Sequence, residues 1–174
     1  MDIYSSIFEL IDMRSFSNLW FWIGLAVLWS STSHWVMGVP YDLVVRARRV
    51  GGQSEQDLLD IARINSNRVL YVVDTSGLVM LAIACFILSG LAIMGFFYGL
   101  EFAQALFLLL MPMCFVTLLS ISAARKLRQQ DATLENVSKA LTRCRTYTQI
   151  IGMFSILITA FWGMHQNMSI GVLG

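Results

Sequence analysis

The chain has 174 residues, 57% of them hydrophobic and 13% charged, with a net charge of +1 and a mean hydropathy of +0.67. Soluble domains average about 45–50% apolar and about 25% charged residues, so this composition excludes an ordinary water-soluble domain and points to a membrane protein. Three widely spaced cysteines, Cys85, Cys114 and Cys144, with no CxxC or Cys/His cluster, argue against a metal site or iron–sulfur centre built by this chain, and no cofactor is expected.

The N-terminal stretch MDIYSSIFELIDMR is acidic and lacks both a basic lead and a small-residue cleavage pattern, so the first apolar helix is expected to stay in the mature protein. Ile3, Ile7, Phe8, Ile11 and Phe16 recur at helical spacing. They predict an amphipathic helix over 1–16 lying on the membrane surface.

Four apolar runs follow, at about 19–39, 77–98, 102–122 and 147–168. Each approaches the roughly 20 residues that a helix needs to cross the hydrocarbon core. The predicted fold class is therefore all-α: one membrane domain over 1–174, with four transmembrane helices and amphipathic helical extensions in the loops 40–76 and 123–146. Of the twelve Lys and Arg residues, only Arg14 lies outside those two loops. Because basic loops stay in the cytoplasm, both are predicted to be cytoplasmic, with the termini and the tight turn at 99–101 on the periplasmic side of a bacterial inner membrane.

The first span ends in the hydroxyl-rich stretch SSTSHW. To attain crossing length it must run to about Val39, which puts Ser30, Ser33 and His34 on one helical face inside the membrane. His34 is the polar oddity, and Asp74 at the start of the second span is its expected partner across a seam between the first two helices.

In the first loop, Pro40 ends or kinks the helix and Gly51-Gly52 breaks the chain again. A helix then starts near Ser54 and Asp57, with Leu58, Ile61, Ala62 and Asn65 sharing a face. The second loop repeats the pattern, with Asp131 as candidate cap and Leu134, Val137 and Leu141 as the apolar stripe. At one constant offset Leu58 matches Leu134 and Ile61 matches Val137, as in a duplicated hairpin, although two amphipathic helices can match in this way by chance. Arg46, Arg48 and Arg49, and likewise Arg125, Lys126 and Arg128, are expected to face anionic headgroups or a protein partner. Without a basic domain or aromatic platform, nucleic-acid binding is not indicated.

Within the membrane, Gly152, Ser155, Thr159 and Gly163 lie on one face of the fourth span, continuing to Gln166. Gly95 and Gly99 form a GxxxG in the second. Small residues at this spacing let helices approach closely. Pro112, near the middle of the third span, removes a backbone donor and is expected to kink it. Trp20, Trp22 and Trp162 are expected at one membrane interface and Trp35 at the other. No ionisable residue occupies the centre of a span, which argues against ion coupling. The separated His34 and His165 do not suit a haem, and no convergent catalytic set appears.

The segments FELIDMRSFSNLWFWIGLAVLWSS and SHWVMGVPYDLVVRARR resemble an uncharacterised family of small bacterial inner-membrane proteins described as components of the SufBCD complex. The similarity is strongest over about the first fifty residues. It implies a link to a cytosolic iron–sulfur cluster assembly scaffold. With Cys144 the lone cytoplasmic cysteine and no nucleotide motif, that link would be docking through the basic loops rather than cluster chemistry. The expectation is a non-enzymatic accessory or docking protein that contacts the lipid bilayer. The alternative is a small transporter or channel subunit for a neutral solute, formed by homo-oligomerisation.

Overall fold

The computed structural model describes residues 15–129 and 133–171. Most of the predicted surface helix, and the Asp131 cap, lie outside the described residues. A 3-10 turn at Ser15–Ser17 leads into α1 (Leu19–His34), a two-stranded hairpin of β1 (Trp35–Val36) and β2 (Val39–Pro40), and α2 (Tyr41–Val50). α3 (Gln53–Ala92) continues through a π-helical turn at Ile93–Phe97, and α4 (Glu101–Gln129) and α5 (Leu134–Gly171) complete the described residues. The fold is all-α apart from the hairpin. Among the described residues, three helices are long and apolar enough to cross a membrane: Gln53–Phe97, Glu101–Gln129 and Leu134–Met168.

α1 is shorter than predicted. Asn18 caps its start, its Oδ1 accepting from the Trp20 amide at 3.0 Å. Its end comes at His34, where the Trp35 amide closes the last turn on the Ser31 carbonyl. At 16 residues it is about 24 Å long, against a hydrocarbon core of about 30 Å. The extension to Val39 fails for a local reason. Met37 (φ 54°) and Gly38 (φ 73°) both take left-handed conformations, which a two-residue hairpin turn requires and a helix forbids. The turn pairs Trp35 with Pro40 and Val36 with Val39. Asn65 of α3 holds it in place, its Nδ2 donating to the Gly38 carbonyl at 3.0 Å.

Gly51 (φ 65°) and Gly52 (φ 58°) turn the chain from α2 into α3, which starts without a side-chain cap from Ser54. α5 starts next to Thr133, whose Oγ1 accepts from the Asn136 amide at 3.3 Å. With 40 residues, α3 extends about 60 Å, twice what a bilayer needs. Its first half buries Leu58, Ala62, Ser66 and Leu70, whereas no residue between 71 and 94 is buried. Leu78, Phe86 and Phe97 are each more than four-fifths exposed. A monomer in water does not tolerate an apolar surface of that extent, so its natural surroundings are themselves apolar.

α3 packs along α4, and α4 along α5. α1 rests on α5 and α4, where Leu25, Trp29 and Val116 form a small buried cluster with Met113 and Ile151 beside it. The larger core lies at the end rich in Arg and Lys. There Val36 and Val39 of the hairpin, Val44 and Ala47 of α2, Leu58 and Ala62 of α3, and Val137 and Leu141 of α5 pack into one cluster. At the offset read from the sequence, Ala62 meets Ser138, both buried, and the buried Leu58 meets the partly buried Leu134.

Candidate functional site

The basic end is a small packed head held together by side chains from separate elements. Tyr41, the first residue of α2, lies under the Arg145 guanidinium, 3.8 Å from its ring centroid, in cation–π geometry. Its hydroxyl is 3.5 Å from Thr142 Oγ1, and that Oγ1 accepts from Arg48 Nη2 at 3.5 Å. The Thr142 hydrogen bond, helped by the nearby Arg145 and Arg48 charges, holds the Tyr41 hydroxyl below the usual tyrosine range. The indicated basic residues Arg46, Arg48, Arg49, Arg125, Lys126 and Arg128 are all exposed. Arg128 is paired, 3.7 Å from Asp74 Oδ2.

That pairing overturns the expected seam. Asp74 faces α4, and His34 instead lies 4.0 Å from Asp42 Oδ1, with both of those side chains more than half exposed. Ser30 is exposed and Ser33 half-buried. Thr32, beside them, donates to the Leu28 carbonyl at 2.7 Å, the local bond by which a hydroxyl is satisfied within its own helix. The physical reason is the neighbour order: α1 rests on α5 rather than α3, and the helix ends where the seam would begin. His34→Ala is therefore expected to change stability by less than about 0.5 kcal/mol, the range of an exposed surface substitution, in thermal unfolding of the detergent-solubilised protein.

A second polar assembly lies at the opposite end, where the sequence reading placed none. Gln104 of α4 is 3% exposed. Its Nε2 donates to the Gly95 carbonyl at 2.8 Å, and its Oε1 accepts from Trp162 Nε1 at 2.8 Å and Gln166 Nε2 at 2.7 Å. Gly95 sits in the π-helical turn of α3, where the regular carbonyl pairing is disturbed, and the Gln104 amide supplies a donor. Phe96 packs edge-on to both Trp162 and Phe107 around this knot. The available signal was a lone glutamine in the apolar run FAQALF, since a buried amide in such surroundings must find partners.

The four indicated positions on α5, Gly152, Ser155, Thr159 and Gly163, are all buried. A Cβ on Gly152 would lie 2.7 Å from the Trp29 ring, and one on Gly163 would lie 3.2 Å from Phe16. The same test separates the GxxxG pair. Gly95 fits only without a side chain, because its Cβ would come 2.9 Å from the Gln104 backbone nitrogen. Gly99 has nothing within 4 Å and a φ of 73°, so it is a turn residue and not a packing one. Pro112 is buried inside α4, which continues through it. Among the described residues, no group of three or more His, Cys, Asp or Glu side chains could hold a metal ion. What these arrangements offer chemically is recognition: exposed cations on a packed head, and a neutral hydrogen-bonded knot at the other end. No family model, curated protein or solved structure matches the chain.

Proposed function

We propose that this chain is a non-enzymatic accessory protein of a bacterial inner membrane, serving as a docking point for a cytosolic complex. In this reading α1 is a short fourth span, the basic end is cytoplasmic and both termini are periplasmic. Basic residues concentrate at the end assigned to the cytoplasm, as retention of positive loops requires. The observation that carries the reading is the head. Among the described residues, the larger buried cluster is built from the hairpin, α2 and the ends of α3 and α5 beyond their apolar stretches, with Ala123 and Leu127 of α4 packed against it. Presenting a fixed surface to a soluble partner calls for such a packed unit, which lipid anchoring alone does not. The resemblance to the SufBCD-associated family makes a SufBCD-like scaffold the first partner to test.

The expected outcome is that the full chain, purified in mild detergent, brings down one cytosolic complex in stoichiometric amount, identified by mass spectrometry. Reporter fusions at residues 50 and 130 are expected to report the cytoplasm, and an external signal at either overturns the orientation. Recovery of a homo-oligomer alone would favour the transporter or channel reading. That alternative draws on an open apolar groove of about 620 Å³ between α1 and α4, lined by Phe21, Leu25, Leu106 and Leu109 among others.

A further inference from the structure

Where α4 leaves its apolar run and α5 enters its own, a cleft of about 220 Å³ lies between the two helices. Lys126 from α4 and Lys139 and Arg143 from α5 line it, together with Ser122, Asn136 and Tyr147. The Gln104–Trp162 hydrogen bond sets the antiparallel register of α4 and α5, so Lys126 stands about level with Lys139 and Ala140, and Arg143 lies about one turn nearer the apolar zone.

The charges on this end are not equivalent. Arg128 is paired with Asp74, and Lys139 with Glu135. Lys126 and Arg143 have no carboxylate partner within ion-pair distance among the described residues. Two uncompensated cations therefore face one concave site. Hydroxyl and amide groups edge it, and its inner wall, at Leu119 and Ala123, is apolar. Such a site matches an anion with an apolar continuation better than a freely diffusing ion.

We propose that this cleft binds the phosphate headgroup of an anionic phospholipid, in the leaflet next to the basic end. Lys126 and Arg143, about one turn apart in depth, would hold the phosphate between them, Lys139 would flank Lys126, and the acyl chains would leave along the apolar surface below. The inference rests on the membrane reading above but not on a protein partner.

The test is native mass spectrometry of the full chain in neutral detergent, titrated with phosphatidylglycerol. The double variant K126A/R143A is expected to bind about 30-fold more weakly, the size of two interfacial charges. R46A/R49A, which removes two exposed cations from α2, is expected to stay within about threefold of the parent, as is the charge-retaining K126R/R143K. Both residues are exposed, so the unfolding temperatures of these variants should match that of the parent. Equal losses in the two alanine doubles, or none in K126A/R143A, would overturn the site. Inorganic phosphate that displaces the lipid at equal concentration would replace the headgroup with a soluble anion. A reporter at residue 130 reads the membrane side independently: an external signal with lipid selectivity intact moves the site to the other leaflet and sinks the orientation alone.

Discussion

Gln104→Leu is expected to lower stability by about 3 kcal/mol, measured by unfolding in mixed micelles. One amide side chain closes three hydrogen bonds at once, to the Gly95 carbonyl, Trp162 Nε1 and Gln166 Nε2. Within a membrane such bonds are worth roughly 1 kcal/mol each, and a leucine removes all three at once. Trp162 supplies a second readout. Loss of its indole hydrogen bond should shift its fluorescence, while the other tryptophans stay where they are. A stability change under about 0.5 kcal/mol with Trp162 unmoved would mean that the knot holds nothing together.

Gly95→Val is expected to cost at least as much, about 3 kcal/mol or more, by the opposite route. The first carbon of any side chain would already lie 2.9 Å from the Gln104 nitrogen and 3.2 Å from the Ala103 carbonyl carbon. These are backbone atoms, so α3 and α4 must separate along their contact instead of swinging one rotamer aside. Combining this change with Gln104→Leu should give less than the sum, since either one breaks the bond between the two residues. Gly99→Ala makes the comparison clean. It meets no neighbour, and its expected cost of about 1 kcal/mol comes from the left-handed backbone alone. Equal effects at Gly95 and Gly99 would contradict the close approach seen at Gly95.

How much of this was legible beforehand differs from feature to feature. The apolar runs of α3, α4 and α5 announce themselves because hydropathy is a local sum over about twenty residues, and nothing elsewhere in the chain alters it. The stripes Leu58–Ala62 and Val137–Leu141 were also visible, as helical periodicity alone marks a face. The hairpin at Trp35–Pro40 was not. One of its two turn positions is Met37, a residue that seldom takes positive φ, so no local signal separates the turn from the end of a span. Nor was the partner of His34 legible. A helix that is apolar nearly all round gives no indication of which neighbour it chooses, and proximity in sequence was a poor guide.

The sequence by itself determined that this chain has helices long and apolar enough to cross a membrane, about where they run, and which end carries the positive charge. Each of those is a property of short windows or of counts. Only the tertiary structure decided that α1 rests on α5 through Trp29 and Gly152, that the first helix stops at His34, and that Asp74 serves Arg128. It also decided that Gln104 ties three helices together, and that Lys126 and Arg143 face one cleft. These are pairings between residues far apart in the chain, set by close packing between helix surfaces that look alike in composition. Polar side chains within them take whichever donors and acceptors that packing brings within reach.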